Sequence, residues 1–213
     1  MENITKISFE PLPESSSCKP VRMYFEQNGI EKNWDLVNGK VSFSVIVYNK
    51  TSNKLVLIKQ FQPPVYYAAA SKLGYKVYDE VDLQKYPVEL GVAISLCGGK
   101  IEDNSSLQET AKRRILQQCG FNVSVDCLHE AVTYKQVVLY GVGTNGASQT
   151  MFYCEVVNED KVIKDAGDKG SFNVIEVSMQ EAEDMVKQGA KIPSPPNCLF
   201  GILWFLQNKK LQT

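Results

Sequence analysis

Residues 96–121 read LCGGKIEDNSSLQETAKRRILQQCGF and carry the strongest structural signal in the sequence. The apolar beginning of this stretch runs into the pair Gly98-Gly99, which is typical of a strand that ends in a turn. The spacing of Ser106 and Glu109 is that of a capping box, in which two side chains satisfy free backbone N–H groups at the start of a helix. The stretch therefore predicts a strand, a glycine turn and a capped helix in succession.

The predicted helix has a single apolar face. Leu107, Ala111 and Ile115 recur every four residues, so they lie one above another on the same side. Gly120 stands just past the last of these turns, where a residue with positive φ commonly ends a helix. The helix is therefore expected to pack this face on the core and to present its polar residues elsewhere.

The residues on the N-terminal side of this stretch indicate strands. We predict them over 20–27, 31–37, 41–48 and 55–61. Asn28-Gly29, between the first two, is a strong signal for a two-residue hairpin turn. The expected arrangement is an N-terminal antiparallel hairpin that continues into a meander of four strands. Residues 62–86 are expected to form an elaborated loop, because Pro63-Pro64 interrupts the fourth strand.

The remaining residues favour an α/β fold. A buried strand is predicted over 88–96, and further strands over 127–140, 149–157 and 173–177. Helices are predicted over 180–187 and 198–207. Strands, then a helix, then strands and then helices favour a mixed sheet packed between helices.

The composition excludes several classes of protein. The 213 residues are 44% hydrophobic and 22% charged, which is ordinary for a large globular domain that buries a core. A formal net charge of −1, from 23 basic and 24 acidic residues, argues against a nucleic-acid binder, which usually carries a basic excess. No apolar run approaches the roughly 20 residues that span a bilayer, and the N-terminus has no apolar signal segment. We therefore expect a cytoplasmic protein without a nucleic-acid or membrane partner.

Residues 99–121 resemble the Nudix box, whose pattern is G-x5-E-x7-R-E-U-x-E-E-x-G-U, with U a bulky apolar residue. The scaffold positions of this pattern are matched by Gly99, Arg113, Ile115, Gly120 and Phe121. The resemblance implies that these residues keep the loop–helix–loop framework of the box.

The resemblance extends over nearly the whole chain. The segments that look like the nucleoside-diphosphate-sugar branch of the Nudix superfamily are 27–29 with 32–35, 56–61, 96–97, 149–153 and 203–206. It implies the Nudix α/β/α sandwich, hydrolysis of sugar nucleotides such as UDP-glucose or ADP-ribose, and a homodimer. In relatives the N-terminal strands pack on the partner subunit and help to form the nucleotide site. We accordingly expect residues 1–40 to be a dimer-forming β extension and residues 41–213 to be the Nudix domain.

The glutamate positions of the box hold no acid in this chain. They are occupied by Ser105, Arg114, Gln117 and Gln118. The last three stand at i, i+3 and i+4 and therefore share one helical face, which in the family carries the magnesium cluster. An amide keeps an oxygen but brings no charge, and Arg114 would repel a divalent ion about 4 Å away by roughly 8 kcal/mol at an effective dielectric of about 20. We therefore predict no intact catalytic residue and no bound metal.

The candidates for contacting a ligand are Trp34, Gln62, Glu102 and Arg114. Gln62 stands where the family's Lys-Gln-Phe-Arg-Pro motif has a phosphate-contacting arginine. Glu102 lies in the turn before the helix, where it could hold one metal ion, whereas Glu109 is explained by its capping role. The acidic residue that relatives carry in a late loop has no counterpart in residues 169–173.

Three functions remain open on the sequence. The first is a pseudoenzyme that binds a nucleoside-diphosphate sugar, or acts as a regulator, with little or no hydrolysis and no cofactor. The second is an active hydrolase that cleaves UDP-glucose or ADP-ribose to UMP or AMP and a sugar phosphate, with Mg²⁺ or Mn²⁺ on rearranged ligands such as Glu102, Asp103 and Glu109. The third is a structural or interaction module whose pocket is abandoned. We favour the first, because the box lacks the carboxylates that would hold the metal.

Overall fold

The computed structural model describes residues 4–9, 20–37, 41–101, 105–135, 143–144, 147–162, 172–189 and 193–210. The strands in these ranges are β1 (Pro20–Gln27), β2 (Ile30–Val37), β3 (Ser42–Asn49), β4 (Lys54–Phe61), β5 (Val92–Ser95), β6 (Cys97–Lys100), β7 (His129–Lys135), β8 (Gly143–Thr144), β9 (Ser148–Val156) and β10 (Asn173–Ser178). The α-helices are α1 (Pro63–Lys72), α2 (Leu107–Cys119), α3 (Met179–Gln188) and α4 (Pro196–Lys210). Short 3-10 helices cover Val88–Gly91, Val125–Cys127 and Asn158–Asp160.

The main sheet has seven strands, in the order β10-β4-β3-β9-β7, with β5 paired to β4 and β6 paired to β3. β3 and β9 run parallel, whereas β3 is antiparallel to β4 and β6, so the sheet is mixed. β3 pairs with β4 at Val47 to Asn49 and with β6 at Ser42 to Val45. The strand that carries Gly98-Gly99, hereafter the glycine strand, is therefore held directly by the central strand of the sheet, and the two glycines lie within this strand and not in the predicted turn.

Helices cover both faces of this sheet. Successive side chains of a strand point to opposite faces, and accordingly Val45 of β3 packs in a cluster with Ile115 of α2, whereas its neighbour Ile46 packs in a second cluster with Phe205 of α4. All of these side chains are fully buried, and each contributes about 1.5–3 kcal/mol to folding. The predicted α/β/α sandwich with a mixed sheet is confirmed. No described helix is both long and apolar enough to cross a membrane.

The N-terminal hairpin forms as predicted. β1 and β2 pair antiparallel from Pro20 with Val37 to Gln27 with Ile30, and the turn residues Asn28 and Gly29 have φ of 56° and 74°, as a type I′ turn requires. The predicted four-strand meander is wrong, because β2 pairs with the short strand β8 and not with β3. The reason is that β3 already has β4 and β6 along one edge and β9 along the other.

Residues 62–86 are not only a loop. Pro63 and Pro64 occupy the first turn of α1, where the N–H that proline lacks would have no helical partner in any case. The hydroxyl of the buried Tyr66 donates to the backbone oxygen of Tyr86 at 2.7 Å, which ties the helix to the end of the segment. The strand predicted over 88–96 is also shorter than expected, because Val88–Gly91 forms a 3-10 helix before β5 begins.

Candidate functional site

The helix of the box begins and ends where its local sequence predicts. Ser106 is the N-cap of α2, and its hydroxyl oxygen accepts a hydrogen bond from the N–H of Glu109 at 3.1 Å. Gly120 ends the helix with φ 83°, a left-handed conformation that favours glycine. Its N–H donates to the backbone oxygens of Ile115 and Leu116. Both ends of α2 are therefore fixed by interactions within a few residues of the chain.

The apolar side of α2 fixes which residues face the glycine strand. Ala111, Ile115 and Cys119 are fully buried against the sheet, and Phe121, just past the helix, is fully buried in the same cluster. With this face buried, the residues at 114, 117 and 118 are placed on the side of the helix toward β6. The scaffold residues Ile115, Gly120 and Phe121 therefore set the orientation of the box side chains.

The side-chain amide of Gln118 forms two hydrogen bonds with the glycine strand, one through its oxygen and one through its nitrogen. Its oxygen Oε1 accepts a hydrogen bond from the N–H of Gly98 at 3.0 Å. Its nitrogen Nε2 donates to the oxygen of Gly98 at 3.2 Å. The side chain is 8% exposed, so the amide is a buried link between α2 and β6.

Arg114 lies beside the next glycine. A Cβ atom placed on Gly99 would lie 3.5 Å from Nε of Arg114, so the side chain passes over the backbone of β6. Its Nη1 atom also donates to Oε1 of the exposed Gln117 at 3.4 Å. The structure therefore brings Arg114, Gln117 and Gln118 together around Gly98-Gly99, with one cation and no carboxylate among them.

The other predicted site residues lie at different places. Ser105 is partly buried next to the N-cap, and Arg113 is partly buried on α2. Gln62 stands at the end of β4, and its N–H donates to the oxygen of Gly91 at 2.7 Å. Trp34 lies on β2 and pairs with Met23 in the three-stranded sheet, apart from the sheet that carries Gly98. Glu102 and Asp103 lie outside the described residues.

The described residues of the box do not fit a magnesium ion. Mg²⁺ is normally held by carboxylates together with water or phosphate oxygens, and the described glutamate positions supply a hydroxyl, a guanidinium and two amides. The amide oxygen of Gln118 already accepts a hydrogen bond from Gly98. Within the described ranges no group of three or more His, Cys, Asp or Glu side chains is arranged to hold a metal ion.

A thiol under the box is not a nucleophile. Cys97 precedes the glycines and is fully buried. A hydrogen bond with the thiol of Cys119, and then burial, raises the pKa of Cys97 well above its ordinary value. Because the thiolate is the reactive form of cysteine, this group stays protonated and unreactive near neutral pH.

Sequence reasoning did not anticipate the link between Gln118 and Gly98. In the linear pattern Gln118 is a substituted acid position of the box, and Gly98 belongs to a predicted turn. Their pairing joins positions 20 residues apart, and no local pattern in the sequence signals it. The one signal for this pairing is the glutamine at position 118, since a buried amide needs partners for both its donor and its acceptor.

Known proteins resemble the chain over nearly its whole length. It is 30% identical to the uridine diphosphate glucose pyrophosphatase NUDT14 of Bos taurus over 220 residues, which cover 96% of this chain and 95% of that protein. The NUDT14 protein of Mus musculus is 27% identical over 216 residues, with the same coverage. No family profile matches the chain.

Solved structures resemble the fold as well. A crystal structure described as an ADP compounds hydrolase superposes with a TM-score of 0.63 and covers 100% of this chain and 98% of its own. Its sequence identity is 11%, so this likeness bears on the fold alone. The identity of 30% over 96% of the chain, together with a fold shared with the hydrolase structure, shows that the chain belongs to the Nudix family.

Proposed function

We propose that the protein binds a nucleoside-diphosphate sugar at its Nudix box without efficient hydrolysis. The observation that carries this proposal is Arg114, whose side chain lies over Gly99 at a position where the box pattern has glutamate. A guanidinium binds phosphate oxygens through two parallel hydrogen bonds and needs no metal ion to do so. The relative that is 30% identical is a uridine diphosphate glucose pyrophosphatase, which supports sugar nucleotides as the ligand class.

The missing carboxylates support the absence of efficient hydrolysis. Metal-assisted cleavage of a diphosphate needs a cation to neutralise the developing charge and to orient the attacking water. The described box positions place a guanidinium and two amides around the glycines. The guanidinium of Arg114 can hold a diphosphate, but the described box positions offer no general base.

Isothermal titration tests this proposal with UDP-glucose, ADP-ribose and UDP as the probes. We expect binding that survives EDTA and is lost in Arg114→Gln. The matched control is Lys112→Gln, which removes one positive charge from the same helix at a position turned away from the face of Arg114. No heat with any of the three nucleotides, or binding that EDTA abolishes, would contradict the proposal.

The second candidate is an active hydrolase with rearranged ligands, and the names of the relatives favour it. It would use Mg²⁺ or Mn²⁺ held by Glu102, Asp103 and Glu109. Its test is the release of UMP from UDP-glucose or of AMP from ADP-ribose with either metal. Release that is abolished in Glu102→Gln and retained in Glu130→Gln would establish it in place of the first proposal.

We also propose that the hairpin of β1 and β2 forms a homodimer. One face of the hairpin carries Val21, Met23, Ile30 and Trp34, which are 40% to 61% exposed. A two-stranded hairpin is marginal alone, and an exposed apolar patch of this kind commonly marks an interface. A second copy of the same chain is the occupant that the family resemblance supports.

Analytical ultracentrifugation tests the dimer. The variant Met23→Lys places a charge on the apolar face and is expected to shift the protein toward monomer. Tyr24→Lys is the matched control, because Tyr24 is exposed on the opposite face of the same strand. A sedimentation coefficient unchanged by Met23→Lys would contradict this interface.

We propose the cytoplasm as the compartment. The described cysteines, of which Cys127 is exposed, are free thiols, and free thiols persist where glutathione and thioredoxin keep cysteine reduced. Fractionation of cells that express the tagged protein tests this proposal, and recovery in a secreted or organellar fraction would overturn it.

A further inference from the structure

The buried amide of Gln118 satisfies the backbone hydrogen-bonding groups of Gly98. β6 pairs with β3 along one edge, with Gly98 opposite Ser44. The N–H and the oxygen of Gly98 are both satisfied by the single side chain of Gln118, at 3.0 Å and 3.2 Å. One amide from α2 thus takes the place of a neighbouring strand for this glycine.

This geometry distinguishes an amide from a carboxylate. A carboxylate offers only acceptors, whereas the amide of Gln118 offers one acceptor and two donor hydrogens. A glutamate in the same position would still accept from the N–H of Gly98. Its other oxygen would face the oxygen of Gly98, so two hydrogen-bond acceptors would lie next to each other with no proton between them. A buried acceptor without a donor lowers the stability of the folded protein.

The backbone on the strand side cannot move away to relieve that repulsion. A Cβ atom on Gly98 would collide with the backbone oxygen of Phe43 and would lie 3.0 Å from Cα of Ser44. β6 is therefore packed on β3 with no room for even one added carbon atom.

The helix side is equally fixed. Ile115 and Cys119, one turn before Gln118 and directly after it, are fully buried in the core. A shift of α2 would have to displace these side chains from a close-packed interior. Since neither β6 nor α2 can shift, the side chain at position 118 has to supply both an acceptor for the N–H of Gly98 and a donor for its oxygen.

We infer that Gln118 is a positioning residue that holds the glycine strand of the box against α2 without a metal ion, and that position 118 of this chain accepts only a side chain able to donate and accept at once. This role of Gln118 does not depend on ligand binding. It also predicts that a glutamate placed at 118 would not recreate a metal ligand but would separate the strand from the helix.

Thermal unfolding of Gln118→Glu as a function of pH is the direct test. Above pH 7 we expect the variant to melt roughly 3 to 10 °C below the parent protein, from an unsatisfied buried acceptor. The burial and the facing oxygen of Gly98 should raise the pKa of the new carboxyl. As the pH falls below that pKa, the protonated carboxyl can donate to Gly98 again, so the difference in melting temperature should shrink.

The matched control is Gln117→Glu, the same change one residue earlier on the same helix, where the side chain is exposed. It should melt within about 1 °C of the parent at every pH, because exposed substitutions have small effects. EDTA and Mg²⁺ should leave the melting temperature of the parent unchanged. A Gln118→Glu variant as stable as the parent above pH 7, a penalty that does not depend on pH, or a parent that EDTA destabilises would overturn the inference.

A second variant covers the case in which Gln118→Glu does not fold. Gln118→Met is close in shape, uncharged and unable to pair with the backbone. Hydrogen exchange measured by NMR should show faster exchange of the Gly98 N–H in this variant, with the amides of β9 unchanged. Unchanged protection of the Gly98 N–H would overturn the inference just as directly.

Discussion

Arg22 donates two hydrogen bonds to Asp35 across the N-terminal hairpin, from Nε to Oδ1 at 2.6 Å and from Nη2 to Oδ2 at 2.9 Å. The two residues are directly opposite each other in the register of β1 and β2. The pair lies on the face of the hairpin opposite Met23 and Trp34. It therefore aligns the two strands without covering their apolar side.

This pair gives the hairpin a pH dependence. The hydrogen bond from Arg22, and secondarily its charge, holds the pKa of Asp35 below its ordinary value. A lowered pKa means that the stabilisation is present above the pKa of the unfolded chain and is lost as the pH falls through the folded value. In Arg22→Gln we expect the pKa of Asp35 to rise, as followed by NMR titration of its carboxyl carbon. Lys32→Gln, on the same hairpin, should leave that titration unchanged.

The N-cap of α2 should have a measurable effect on stability. Ser106→Ala removes the hydroxyl that accepts from the N–H of Glu109 and should lower the free energy of unfolding by about 1 kcal/mol. Ser106→Asp should restore most of this loss, because aspartate is an equally good cap. Urea unfolding measures both, with Ser105→Ala as the adjacent control. An equal cost for Ser105→Ala would show that the cap is not responsible.

Gly201 lets α4 approach the sheet closely. A Cβ atom there would lie 2.7 Å from Cδ1 of Leu96 and 3.2 Å from Sδ of Met151. Gly201→Ala should therefore destabilise the protein by about 1–3 kcal/mol, although alanine in a helix normally gains about 1 kcal/mol over glycine. In a Leu96→Ala background, Gly201→Ala should lower the free energy of unfolding clearly less than it does in the parent protein. Denaturant unfolding measures this difference. Strict additivity of the two costs would contradict this contact.

The cysteines should differ sharply in reactivity. Cys127 is exposed, while burial raises the pKa of Cys154 and of Cys198 to about 12. Maleimide labelling of the native protein at pH 7.5 should modify Cys127 ahead of these two, because thiolate and access together control the reaction. Peptide mapping by mass spectrometry identifies the labelled sites. Early labelling of Cys154 or Cys198 in native protein would contradict their burial.

Short-range chemistry accounts for what could be predicted well. The hairpin turn at Asn28-Gly29 depends on two residues that tolerate positive φ. Helix α2 depends on Ser106, on an apolar period of four and on Gly120. Each of these signals acts over a few residues, so the sequence alone places the element.

The predictions are wrong where contacts between residues distant in the sequence select the strand pairing or the secondary structure. The meander failed because both edges of β3 are occupied by β4, β6 and β9, and competition for an edge is not visible in any one strand. The double proline that reads as the end of a strand also begins α1. Proline is compatible with both roles, and only the packing of Tyr66 against the following segment selects the helix.

The family resemblance, the capped helix that follows Gly98-Gly99, and the replacement of the four box acids by a serine, an arginine and two glutamines are all visible in the linear pattern of residues. The role of Gln118, in contrast, follows from the packing of α2 on the sheet. Its two hydrogen bonds to Gly98 span 20 residues and exist because the packing of α2 against β6 brings donor and acceptor together in a buried site, where polar groups need a partner.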